Sequence, residues 1–312
     1  MEKKDTLLIL LLAIGGIIFI LVPLFLLASA SLPKQPCVGL IKVDGEIVTS
    51  AQASIFAEAP LSSDSFSELV KAAAGRDEIK AVLFEVNSPG GSVVASEEMY
   101  SAAKGLEKPK VMYIRELGAS GAFYLAMAGD SVVSHPDSLT GNIGARMVLA
   151  DMSGLLQKLG INMTNVKSGE MKDIGTFDRP ATEEELAVLQ SIVNESFNEF
   201  RQIVFNARSG KPRFSVQRFD SVLDGRVLTG RQAYALGLVD ELGSKDDALK
   251  KAAELGGITD EEPRVCELST QKGFFEALTS SSSQSLSSIF ANVLKNILSA
   301  GSASGGASLK FQ

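Results

Sequence analysis

Tryptophan is absent from this 312-residue chain, histidine occurs once and cysteine twice. A Ser-His-Asp machine needs its histidine within hydrogen-bond reach of the nucleophile, and His135, followed by Pro136 just after an apolar stretch, is the one candidate. Cys37 and Cys266 leave no second pair for a metal cluster or a disulfide scaffold. Two unpaired thiols are the expectation, and one long-range disulfide is the alternative. Clustered positive charge is also missing, with 30 Lys and Arg against 37 Asp and Glu, a net charge of -7 and a pI near 5.0. Phosphate backbones are gripped by grouped Lys and Arg, so a nucleic-acid binder is excluded. Neither a metal nor a cofactor is expected.

What the chain does have begins with an uncharged run from Leu7 to Ala30, long enough as a helix to cross a hydrocarbon core of about 30 Å. A cleaved secretory signal is the rival reading, since Ala28, Ser29 and Ala30 are small, but its apolar region spans only about 7 to 15 residues. Lys3 and Lys4 precede the run. The expected layout is a cytoplasmic segment 1–6, a transmembrane anchor 7–30 in the lipid bilayer, a connector 31–37, and a body outside the cytoplasm.

The body alternates in type. Val38 to Val48 reads as a strand broken by the turn-prone Asp44-Gly45, followed by a helix near Ser63 to Ala74 and a strand at Ala81 to Val86. A helix near Ala95 to Gly105, a strand at Val111 to Arg115, a helix from Ser120 to Ala128 and a strand at Ser131 to Ser134 come next. Continuous apolar strands separated by helices indicate an α/β architecture with a parallel sheet covered on both faces. Thr182 with Glu185 three residues on opens a long helix from Glu183 to about Ala207, and a shorter one near Arg231 to Leu236 stops at Gly237. The body is expected over 38–267, and 268–312, rich in Ser and Gly, reads as a flexible tail with one weak helix.

Three Gly-rich junctions follow apolar strands: Asn87 to Ser92, Leu117 to Ala122, and Thr140 to Gly144. In parallel sheets ligand sites gather at the carboxyl ends of the strands, so these junctions should share one edge. Ser120 starts a helix between small neighbours, where N–H groups and the helix dipole favour developing negative charge; a serine there is also an ordinary N-cap. A serine hydrolase without a usable histidine can employ a neutral lysine amine, and the segment Lys167 to Gly175 offers Lys167 and Lys172. Gly90 and Gly91 suit either an oxyanion hole or a plain tight turn.

Taken together, VDGEI, NSPGGS, GASGAFYLA, TGNIGA, KSGEMKDIGTFDR and DGRVLTGRQAYALGLVDELGS resemble the single-domain signal peptide peptidase A family, within the superfamily of Clp-type proteases and crotonases. The resemblance runs from about Val38 to Leu255. It implies a Clp protease/crotonase-like parallel sheet with flanking helices, Ser120 as nucleophile, Lys172 as base, and an oxyanion hole from Gly90, Gly91 and Gly121. Lys167 matches a position outside the dyad. Asn142 stands where the family has a serine that can orient the lysine, and an asparagine oxygen can accept the same bond. The family further implies peptide substrates such as cleaved signal peptides, and a homo-oligomer with active sites between protomers. Three other readings are a stomatin-associated membrane serine protease, a crotonase-type acyl-CoA enzyme and an inactive membrane scaffold of the same fold.

Overall fold

The computed structural model describes residues 35–50 and 61–269. The expected anchor Leu7–Ala30 and nearly all of the expected tail lie outside the described residues. Among those described, no helix is long and apolar enough to cross a membrane.

Among the described residues, eight strands form one sheet: β1 (Cys37–Asp44), β2 (Ile79–Ser88), β3 (Lys110–Ala119), β4 (Ser131–Ser134), β5 (Leu139–Gly141), β6 (Val227–Thr229), β7 (Glu241–Leu242) and β8 (Val265–Leu268). Their order is β6-β5-β3-β2-β1-β8, with β4 pairing β3 and β7 beside this path. Every pairing is parallel except β5 with β6. The helices are α1 (Ser63–Ala74), α2 (Val93–Lys104), α3 (Gly121–Ala126), α4 (Ser153–Lys158), α5 (Glu183–Arg208), α6 (Val216–Asp220), α7 (Gly230–Ala235) and α8 (Lys245–Leu255), with a 3-10 turn at Glu170–Asp173.

The central strands are apolar on both faces because both faces are covered. Along β2, Val82, Phe84 and Val86 join Phe66, Met99 and Phe123 in one core. Alternate residues Ala81 and Leu83 meet Ala248 and Ala252 of α8 in the other. The period of two thus divides one strand between two layers. The expected first strand ends at Asp44, and its second half survives as single bridges from Ile47 to Gly91 and from Val48 to Ser62.

The expectation of free thiols is overturned. Cys37 and Cys266 form a disulfide with Cα atoms 5.9 Å apart. Parallel pairing of β1 with β8 is the cause, since it sets Gly39 beside Cys266 and so brings together residues 229 apart in sequence.

The long α5 buries apolar side chains toward one end only. Its buried residues are Glu185, near the start, and then Phe200, Val204 and Arg208. Arg208 holds the far end by donating to Asp240 Oδ1 and Oδ2 at 2.9 and 3.0 Å and to the Gly237 carbonyl at 2.8 Å. Burial opposes charge on Asp240, but the Arg208 guanidinium outweighs it and keeps the carboxyl below its ordinary range. The capping box at Thr182 and Glu185 is present as the sequence implies.

Candidate active site

The three Gly-rich junctions do share one edge, at the carboxyl ends of β2, β3 and β5. Ser120 sits between the last residue of β3 and the first of α3, at φ 55° and ψ -126°. Few side chains tolerate that backbone, and its cost is on the order of 1–3 kcal/mol. Hydrogen bonds hold it there. The Ser120 N–H donates to the Gly141 carbonyl at 2.9 Å, and the Ser120 carbonyl accepts from Phe123 and Tyr124 at 2.9 and 3.0 Å. Although Ser120 occupies the N-cap position, its hydroxyl makes no capping bond. A helix start that leaves its serine hydroxyl unused has it available for chemistry.

Backbone accounting separates the glycines. Gly90, at φ 90°, could carry no Cβ, because one would lie 2.6 Å from the Gly121 nitrogen and 3.0 Å from Ser120 Cβ. Its own N–H donates to Ser88 Oγ at 3.1 Å. Gly91 differs. The bridge to Ile47 uses the Gly90 carbonyl and the Ser92 N–H, both at 2.9 Å, and leaves the Gly91 N–H without a partner among the described residues. Gly121 heads α3, where the first N–H groups have no intrahelical acceptor. The Gly91 nitrogen lies 3.4 Å from where a Gly121 Cβ would be, so the two unused donors are neighbours beside Ser120. A third close approach makes glycine necessary at 121, since its Cβ would meet Ser96 Oγ of α2 at 2.1 Å.

Ser120, Gly91 and Gly121 open onto a small cavity, also lined by Tyr124, Phe200 and Glu199. The rings of Tyr124 and Phe200 meet edge to face with centroids 5.2 Å apart. Burial, reinforced by Glu199 and Glu97, pushes the Tyr124 phenol up. These wall residues were invisible in the sequence, because Phe200 comes from α5 and reads there as one more core position.

The lysines fall elsewhere. Lys167 is engaged, its Nζ donating to the Glu170 carbonyl at 2.8 Å and to Asp173 Oδ1 at 2.6 Å. Lys172 lies exposed in the 3-10 turn, and its amine has no hydrogen bond among the described residues. It does not line the Ser120 cavity. The ~22 Å of helix between Glu185 and Phe200, at 1.5 Å per residue, separates the end of α5 beside the lysine turn from the end beside α3. The structure does not bring Ser120 and Lys172 together within one chain. Asn142, at φ 52°, donates Nδ2 to the Gly225 carbonyl at 2.6 Å, which leaves Oδ1 as its accepting atom. His135 lies outside the cavity, and its Nδ1 accepts from the Asp137 N–H at 3.2 Å.

Residues 102–259 match the model of peptidase family S49, and residues 49–140 match that of the Clp proteases. A protein of Methanocaldococcus jannaschii, provisionally named a protease, is 40% identical over 64% of this chain and 63% of its own length. One of Synechocystis, named likewise, is 36% identical over 65% of this chain and 73% of its own. A protein of Enterococcus faecium, provisionally named signal peptide peptidase SppA, is 30% identical over 70% of this chain and 64% of its own. The chain thus spans roughly two thirds of the length of the relatives it matches.

Proposed function

The chain belongs to peptidase family S49, and from that premise we propose that it is a membrane-anchored serine endopeptidase cutting remnant signal peptides and other unfolded peptides. One observation carries the reading. A strained serine with an unused hydroxyl stands beside the two free backbone donors of Gly91 and Gly121. Ser120 Oγ attacks the scissile carbonyl and passes its proton to the Lys172 amine. The oxyanion that forms takes the N–H groups of Gly91 and Gly121. Lys172 then protonates the departing amine, and water, deprotonated in turn, releases the acyl group from Ser120. Lys172 is preferred to Lys167 because the Lys167 amine is already bound twice.

The dyad is assembled between copies of the chain. Separation of Ser120 from the lysine turn supports this, as does apolar surface on the arm, residues 145–180, that carries the turn: Val148, Leu159 and Val166 are 77%, 63% and 98% exposed in the single chain. Asn142 Oδ1 accepts from the incoming amine. Leu7–Ala30 anchors the chain in the bilayer with residues 1–6 in the cytoplasm and the peptidase body outside. A disulfide between Cys37 and Cys266 suits such an oxidising compartment. The relative named signal peptide peptidase supports that substrate class.

The test is a fluorophosphonate probe together with a digest of synthetic signal peptides, on the wild type, Ser120→Ala and Lys172→Ala. Labelling and cleavage are expected in the wild type, with cleavage lost in both variants while the fold is kept. Cleavage at the wild-type rate by either variant would sink the dyad. An unlabelled, inactive wild type would favour the inactive scaffold.

A further inference from the structure

We propose that Arg179 is a positioning residue for Lys172, locking the 3-10 turn that carries the lysine to the first turn of α5. The inference rests on the Ser120–Lys172 reading above. None of the turn's residues is buried, so its placement depends on links other than core packing. Glycines flank it, Gly169 at φ -155° and Gly175 at φ 81°. A turn bounded by glycines with no anchor of its own needs a brace to aim a side chain.

Arg179 supplies the brace. Its Nη2 donates to Asp173 Oδ1 at 3.0 Å, the residue next to Lys172. The same guanidinium grips Glu185 with Nη1 at 2.9 Å and Nη2 at 2.5 Å. Glu185 is itself fixed, since its Oε2 accepts the Thr182 N–H at 2.9 Å and its N–H donates to Thr182 Oγ1 at 3.2 Å. Lys167 donates to the same Asp173 oxygen, Oδ1, at 2.6 Å. Charge alone would not do this, because two carboxylates must be held at once by one planar fork, which a lysine ammonium cannot reproduce.

The geometry also fits what the brace is attached to. Glu185 is the sole buried residue of α5 before Phe200, and its burial comes with the Arg179 fork and its own capping box. Farther along the same helix, Phe200 packs on Tyr124, one turn after Ser120. One rigid helix therefore sets the lysine turn of a chain relative to its own nucleophile, and the clamp decides where Lys172 is presented to the neighbouring copy.

Steady-state kinetics on a signal peptide, thermal unfolding and assembly size are measured for Arg179→Met, Arg179→Lys, Asp173→Asn and Lys172→Ala. In Arg179→Met, kcat should fall roughly 10- to 100-fold, the scale set by misplacing a catalytic group by about 1 Å, while KM and assembly size hold and the chain still unfolds cooperatively. Arg179→Lys should recover only part, and Asp173→Asn should fall in kcat as well. Combining Arg179→Met with Lys172→Ala should lower the residual rate no further, because the arginine acts through the lysine. An active Lys172→Ala overturns the dyad and the clamp with it. An inactive Lys172→Ala beside a wild-type kcat in Arg179→Met overturns the clamp alone. So does a fall in kcat accompanied by loss of folding or assembly in both Arg179→Met and Asp173→Asn, since the role is then structural.

Discussion

Ser120 and Gly121 make opposite demands on the turn between β3 and α3. The serine needs a side chain at φ 55°, and the glycine must lack one because Ser96 Oγ occupies its Cβ position at 2.1 Å. Gly121→Ala should therefore lose stability and, if the proposed mechanism holds, cleavage too, since removing a donor to the oxyanion costs about 10²- to 10³-fold in kcat. Adding Ser96→Ala removes the clashing oxygen and leaves Ser96 Cβ 3.1 Å away. The double variant should unfold at a higher temperature than Gly121→Ala alone, and calorimetry on the pair checks this. By contrast, His135→Ala should change kcat by less than about twofold, since that ring lies outside the cavity. A loss as large as that of Ser120→Ala, with the fold intact, would refute the lysine base.

At the scale of elements, β8 is an edge strand of four residues, held by its pairing with β1 and by the disulfide. Closing a 229-residue loop is worth about 5 kcal/mol in the chain-entropy model, against a usual measured range of about 2–4. Replacing Cys37 and Cys266 with serine should lower stability by ~2–5 kcal/mol in denaturant titrations, and reductant should reproduce that loss in the wild type. For α5, the anchor is Arg208. Arg208→Met leaves the Asp240 carboxylate half-stranded, and a loss of ~3–5 kcal/mol is expected from the same titrations. The arm responds to acid instead. Arg179 holds the carboxyl of Glu185 near about 2, and Lys167, with Arg179, holds that of Asp173 there as well. Both carboxyls are depressed below their unfolded range of about 4, so their contribution is complete above that pH. It fades as pH falls toward about 2. Proteolysis by pepsin across this window should nick 160–180 before the core, and Arg179→Met should move that nicking to higher pH.

For the whole molecule, the decisive prediction mixes inactive chains. If the site forms between protomers, Ser120→Ala and Lys172→Ala chains co-assembled from denaturant should recover part of the wild-type cleavage rate, because some interfaces then pair an intact serine with an intact lysine. Recovery of nothing from mixtures that demonstrably contain both chains would confine each site to one chain. The exposed apolar residues of the arm give the physical reason to expect assembly, since exposed apolar surface of this kind marks places where proteins meet.

The sequence by itself determined the layers. Apolar strands alternating with amphipathic helices admit little besides a covered parallel sheet, and glycines after those strands mark its ligand edge. Motif resemblance singled out Ser120 and Lys172 as the candidate pair, and the capping box marked the start of α5. Only the tertiary structure decided the disulfide, because the β1–β8 pairing that joins Cys37 to Cys266 comes from sheet order and not from local pattern. Tertiary contact likewise divided Gly90 from Gly91: the two glycines read alike in sequence, but one N–H is spent on Ser88 Oγ and the other is free beside Ser120. Arg179 is the clearest case, an ordinary surface arginine by composition that becomes a brace once folding sets Asp173 and Glu185 on either side of it. Local preference fixes elements within a few residues, whereas hydrogen-bond partners are chosen by where distant segments come to lie.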